Sequence, residues 1–251
     1  MSNSSPLEIT QAERAAKIIE RAIVVGDLPP RARLGVHELS ARYEIGATPI
    51  REGLSRLADR GFVVAMGKRG FRVADASEAD LCDIIRARMS LETDALRLSI
   101  LQGDDHWEGN IVATLHRMTR IKGRQVGGPT DGIDAFDEAH KDFHMALIGA
   151  CGSSRMLEFC SLLFDQAYRY RRVMFTTPHH RGDDVDAEHA EMANLALNRD
   201  REGACEKYAL HLNRTLLSLY PNAKPIVPAR EVSETRNEPN KCRVALEGTA
   251  S

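Results

Sequence analysis

Nine histidines occur in the 251 residues, and four stand where helices could bring them together. His140 and His144 are four apart in the run from Asp137 to Leu147, a spacing that puts both imidazoles on one helical face. His189 follows Glu188 in a later segment, and His211 precedes Leu212 in the next. An i, i+4 imidazole pair joined by two distant histidines suits a divalent cation such as Zn²⁺, held between the helices of a bundle. A helical His-x-x-x-His pair is also common on solvated faces, so spacing alone leaves both outcomes open. The rival chemistry is metal-dependent hydrolysis, with Glu188 or Asp142 as general base and the N-terminal part as an accessory. It lacks an H-E-x-x-H, a nucleophile motif or a Gly-rich phosphate loop to support it.

A second group of residues suits a polyanion. Arg51 follows Ala47-Thr-Pro-Ile at the start of a helical segment, where its forked guanidinium can pair with guanine O6 and N7. Thr48 can cap that helix or donate to a phosphate, and a helix N-terminus itself favours an anion. Lys68, Arg69 and Gly70 occupy a basic turn that could reach a groove or its phosphates. Arg56 and Arg60, further along the helix, are expected to be solvated surface charges.

These residues need elements to hold them. Apolar positions Ala15, Ile18, Ile19, Ala22 and Ile23 mark an amphipathic helix over about 10–25, ended by Gly26 and Pro29-Pro30. A short helix over 36–43 carries Leu39 inward, and a third begins at Thr48-Pro49 and stops at Gly61. Two short strands, 62–65 and 71–73, flank the basic turn as a hairpin. Helix, helix, turn, helix and hairpin within about 65 residues make a winged helix-turn-helix. Ser77 with Asp80 resembles a capping box and opens a helix over 77–101. Further amphipathic segments fall at 107–122, 131–150, 153–175, 184–199 and 201–219, with loops at 123–130 and 176–184. The expected architecture is mostly α: a flexible start (1–8), a winged helix-turn-helix (9–75), an all-α bundle (76–220) and a disordered tail (221–251).

Composition is compatible with this. Aromatics are only 5% while helix formers recur, and no stretch approaches the roughly 20 apolar residues of a membrane span. The start lacks the pattern of a signal peptide, so a cytoplasmic protein is expected. Five scattered cysteines without a C-x-x-C pair argue against a disulfide framework or zinc ribbon. Residues 1–75 hold 12 Lys/Arg against 9 Asp/Glu, leaving 22 against 27 for the rest. A basic head on an acidic body fits a protein that presents one end to nucleic acid.

The N-terminal run resembles the DNA-binding domain of GntR-family regulators. The resemblance rests on Gly26-Asp-Leu-Pro-Pro-Arg-Ala-Arg-Leu34, Glu38-Leu-Ser-Ala41, Ala47-Thr-Pro-Ile-Arg-Glu-Gly-Leu54, Leu57-Ala-Asp-Arg-Gly-Phe62 and Arg69-Gly-Phe-Arg-Val73. Where that family commonly has Ser-Arg before Thr-Pro, this chain has Gly46-Ala47, so operator preference does not transfer. His37 falls where some relatives place a DNA-contacting arginine. Arg88-Met-Ser-Leu-Glu92, Phe143-His-Met-Ala-Leu147, Glu188-His189 and Ala209-Leu-His-Leu212 are similar to the FCD effector domain of the FadR subgroup. The resemblance implies a metal site in which His144, His189 and His211 match the histidine positions and His140 stands where a carboxylate is usual, so that either His140 completes the site or the fourth ligand is lost, with Asp137, one turn earlier, as an outside candidate. It implies a small organic-acid effector, with Arg88, Arg169 and Arg172 as its cationic partners; segments around Ala150–Ser154 and Asp165–Tyr170 look closest to dicarboxylate-responsive members. It further implies a homodimer on a two-fold operator, acting as a repressor rather than an enzyme.

Overall fold

The computed structural model describes residues 9–123, 133–175 and 184–227, with side chains given for 9–121, 135–170 and 186–227. The chain opens with α1 (Gln11–Val24), whose N-terminus is closed by Thr10 and Glu13 in a reciprocal capping box. Its buried face, Ala12, Ala15, Ala16, Ile19, Ala22 and Ile23, lies on α3 (Ala47–Asp59). That crossing is close because Gly53 of α3 meets the α1 backbone: a Cβ there would stand 2.9 Å from the Ala16 nitrogen. Between them runs α2 (Val36–Tyr43), turned into the next segment by Glu44 in the left-handed region.

The third helix starts two residues earlier than a Thr48 cap with Pro49 as first helical residue suggested. Gly46 is its N-cap, without a side-chain cap bond, and the first helical hydrogen bond runs from Ile50 N to Gly46 O. Pro49 is compatible with this because every N–H of the first turn lacks a helical acceptor, not only the first. Thr48 is thereby left exposed within the helix instead of serving as the cap. The hairpin forms as expected from β2 (Val63–Ala65) and β3 (Phe71–Val73), with a 3-10 turn over Gly67–Arg69 at its tip. A third strand, β1 (Arg33–Leu34), pairs antiparallel with β3 to give the order β1-β3-β2. Two residues are too few to show alternation, so this strand had no signature in the sequence.

The second unit comprises α4 (Glu78–Gln102), α5 (Asp105–Gly123), α6 (Ile133–Leu147), α7 (Ser154–Phe175), α8 (Asp184–Leu197) and α9 (Arg201–Leu219). Ser77 caps α4 by accepting from Asp80 N, but the Asp80 carboxylate turns to Arg169 and to the Tyr170 hydroxyl instead of completing the box. The Ser77 N–H donates to that same Tyr170 oxygen at 3.1 Å, which ties the inter-domain joint to α7. A core of Leu81, Ile85, Met89, Leu96, Phe143, Leu147, Tyr208 and Leu212 fills the bundle. The segment after α9, within the expected tail, stays on this core as far as residue 227. Ala223 and Ile226 are buried, and Asn213 both accepts from Ile226 N (2.7 Å) and donates to Ile226 O (2.9 Å). The expected flexible start, most of the tail and the loop segments 124–132 and 176–183 lie outside the described residues.

Candidate metal centre and nucleic-acid interface

Helices α6, α8 and α9 deliver the four histidines to one point. One ring nitrogen from each of His140, His144, His189 and His211 lies within 4.8 Å of the others. The first three residues are buried, and the His211 side chain is 12% exposed. His140 Nε2 stands 2.9 Å from His189 Nε2 and 3.0 Å from His144 Nε2. An imidazole nitrogen carries one proton or one lone pair, so it cannot serve two such neighbours at once by hydrogen bonding. A cation shared between the rings would satisfy them all.

Hydrogen bonds on the far sides of two rings set their tautomers. Tyr208 donates its only proton to Glu92 Oε2 at 2.7 Å, so its oxygen accepts from His144 Nδ1 at 2.9 Å. His211 Nδ1 donates to the Glu188 carboxylate at 3.2 Å, and Arg214 reaches the same carboxylate at 2.8 Å. In the neutral ring an Nδ1–H donor leaves Nε2 as the unprotonated nitrogen, the form a metal requires; His144 Nε2 faces His140, and both rings carry the outer-shell partners typical of ligating histidines. Hydrogen bonding from His211, then from Arg214, holds the Glu188 carboxyl down at about 2, so the acceptor stays ionised. Burial, and next the Glu92 charge, push the Tyr208 phenol well above its ordinary range and keep it a donor. The donor set fits a borderline divalent cation.

Behind Tyr208 lies a buried ion pair on α4. Arg88 donates through Nε and Nη2 to the two Glu92 oxygens at 2.7 and 3.1 Å, while Phe164 covers the guanidinium at 5.0 Å from its ring centre. Arg88 thus joins the histidines through Glu92 and Tyr208. Arg169 is instead engaged with Asp80 at the inter-domain joint, and the Arg172 side chain lies outside the described residues. Asp137 is buried on α6 but does not belong to the histidine group. Asp142 pairs with Arg117 at 2.7 Å. Glu92 appeared in the sequence only as the end of the run Arg88–Glu92; Tyr208 and Phe164 carried no signal, since a buried aromatic on an amphipathic helix reads as core.

At the other end, His37, Thr48, Arg51, Lys68 and Arg69 are exposed and Gly70 is half-buried. Gly70 takes a φ of 87°, which a side chain would oppose. Among the described residues Arg51, Lys68 and Arg69 form no ion pair, whereas Arg56 pairs with Glu13 and Arg60 with Glu20 and Asp165. Arg51 at the start of α3 and Lys68 and Arg69 at the wing tip are thus among the cations left without an ion pair among the described residues.

Residues 11–73 match the description "Bacterial regulatory proteins, gntR family", and residues 83–214 match the "FCD domain". The chain belongs to the GntR family, with an FCD effector domain. Among curated relatives it is 34% identical to the HTH-type transcriptional regulator BphR of Paraburkholderia xenovorans, over 85% of this chain and 89% of that one. It is 31% identical to the HTH-type transcriptional repressor GlaR of Escherichia coli, over 77% and 89%. E. coli McbR/YncC shares the fold at a TM-score of 0.71 and 17% identity, covering 85% of this chain and 98% of that one. A GntR regulator of Rhodococcus sp. RHA1 does so at 0.68 and 19%, covering 85% and 99%. This GntR protein is a transcription regulator and not an enzyme, and its family and relatives do not favour the hydrolase reading. No helix among the described residues is long and apolar enough to cross a membrane.

Proposed function

We propose that this regulator holds a divalent ion of the zinc class on His140, His144, His189 and His211, and that a small organic acid bound there changes its grip on DNA. The observation that carries the proposal is the convergence of the four imidazoles, two of them held by Tyr208 and Glu188 in the metal-binding tautomer. His140, a member of the group, takes the fourth position in preference to Asp137. A bound ion would supply a fixed positive charge for a carboxylate. Arg88 is the second anchor: its guanidinium is already satisfied by a carboxylate, so an effector reaches it by exchanging with Glu92. Arg169 and Arg172 are then secondary candidates, the former because Asp80 holds it. Arg51 reads bases, Thr48 and the α3 N-terminus meet phosphate, and Lys68, Arg69, Gly70 and His37 contact the flanking groove. Two copies bind a two-fold operator in the cytoplasm, as a repressor; the E. coli relative carries that word in its name.

Metal analysis of the purified full chain and of His189→Ala tests the site. Near one equivalent in the wild type, lost in the variant, is expected, followed by thermal-shift responses to small dicarboxylates only when metal is loaded. A wild type that takes up no metal after reconstitution would remove the site while leaving the DNA-binding assignment in place.

A further inference from the structure

The histidine cluster and the winged helix share a side chain. Phe164 of α7 is 4% exposed and belongs to the hydrophobic core of the DNA-binding unit, together with Tyr168, Ile19, Ile23 and Leu57. Its ring also lies 5.5 Å from the ring centres of both His140 and His144, and against the Arg88 guanidinium. One aromatic plate thus touches two members of the histidine group, the buried arginine and the core under α1. Polar contacts fix the same stretch of α7 to the DNA-reading helix. Gln166 Nε2 donates to Arg60 O, the C-cap of α3, at 2.5 Å, while Arg60 bridges Glu20 of α1 and Asp165 of α7. Lys141 of α6 closes onto Asp165 at 2.5 Å. Beside these contacts a cleft of about 490 Å³ separates α1 from α6 and α7, lined by Lys17, Arg21, Asp137, Lys141, Phe164 and Tyr168, which leaves room for the units to shift along this seam.

We infer that Phe164 is the positioning residue through which occupancy of the histidine cluster sets the placement of the winged helix. This rests on the metal reading above. When the four imidazoles share a cation, His140 and His144 are fixed in one orientation, and Phe164 must seat against them. Without it the two rings turn, the plate loses its backing, and α1 and α3 follow through Tyr168, Gln166 and Asp165. Coupling of this kind requires two discrete arrangements with different DNA affinity, which a packed aromatic between two cores can supply.

The test compares DNA affinity of the metal-free and Zn²⁺-loaded full chain, for wild type, Phe164→Ala, Phe164→Leu and Phe159→Ala, an exposed position on the same helix. In the wild type zinc is expected to change the dissociation constant by a factor in the range of about 5–150, the usual span of allosteric coupling. In Phe164→Ala the factor falls below about 2 while one equivalent of zinc still binds. Phe164→Leu, which refills part of the volume, regains an intermediate factor, and Phe159→Ala retains the full one. A wild-type factor kept in Phe164→Ala overturns the inference, as does a zinc-binding wild type whose DNA affinity ignores the metal. Should the alanine variant fail to fold, the leucine variant decides: a full wild-type factor there refutes the role, a reduced one supports it. A wild type that binds no zinc instead removes the metal reading itself.

Discussion

Replacing Glu92 by Met isolates the cost of the buried pair on α4. Glu92 and Arg88 are 2% and 6% exposed, and the carboxylate also accepts the Tyr208 proton. The single substitution keeps the volume and leaves a guanidinium without its counter-charge, together with a phenol that keeps only His144 as partner. Breaking a buried pair from one side costs about 3–5 kcal/mol, whereas replacing both partners by apolar residues is often neutral or stabilising by ~1–4 kcal/mol. Against a typical total of roughly 5–15 kcal/mol the single variant is severe. With a urea slope of ~1–3 kcal/mol/M its midpoint should fall by at least about 1 M. Arg88→Met/Glu92→Met should recover most of that loss while losing the response to any effector carboxylate that uses Arg88. The assay is equilibrium urea unfolding of the wild type and both variants, with the slope checked for constancy. A single-variant loss below about 1 kcal/mol, or a double variant as weak as Glu92→Met, would refute the uncompensated-charge argument.

Four further outcomes concern other sites. Gly53→Ala gains helix propensity of up to about 1 kcal/mol, yet its Cβ meets the Ala16 nitrogen at 2.9 Å and the Ala15 Cβ at 3.0 Å. Overpacking should win and lower thermal stability of the winged helix by roughly 1–3 kcal/mol, a sign that differential scanning calorimetry reads directly. Arg51→Ala should weaken operator binding by about 1–3 kcal/mol and relax preference at one base pair, whereas Lys68→Ala should weaken all sequences alike and flatten the salt dependence by about one unit; a uniform loss for Arg51→Ala makes it a phosphate contact. Burial, aided by the Glu92 charge, lifts the Cys160 thiol to about 12, so at pH 8 it carries almost no thiolate and should resist alkylation in the native protein; rapid modification there would contradict the packing.

The elements were legible where local pattern and tertiary packing agree. Segment α2 was placed at its observed bounds because Leu39 is the one buried contact a short helix there must make. Segment α1 was equally clear from its apolar stripe. The His-x-x-x-His pair on α6 and the histidines of α8 and α9 were legible as one cluster, since helical spacing puts the first two on one face and the bundle brings the other two to it. What was not legible depends on contacts distant in sequence. Arg60 has the look of a solvated helix charge, but Glu20 and Asp165 meet it only when α1 and α7 come together. Tyr208 sits among apolar neighbours on α9, and its role is defined by Glu92, 116 positions away. Asn213 similarly acquires meaning only when the chain doubles back as far as Ile226.

The seventh helix explains why such distant contacts matter to a regulator. Cys160, Ala167 and Tyr170 pack into the bundle, while Phe164 and Tyr168, one turn apart, pack into the winged helix. Two stripes of opposite allegiance on one rod differ from the usual amphipathic helix, which has one core to face. Domains joined by a linker alone move freely by default; here separation would expose both aromatic rings, at about 1.5–3 kcal/mol each, and break the Gln166 and Asp165 contacts to Arg60 as well. Movement that keeps these contacts must pivot about α7 instead of opening the seam. A pivot at α7 displaces the far end of α3, where Arg60 is held, relative to the free end that carries Arg51. Under the coupling inferred above, the end of α3 that carries Arg51 is aimed from its anchored end, and a change in how Phe164 seats against His140 and His144 re-aims it.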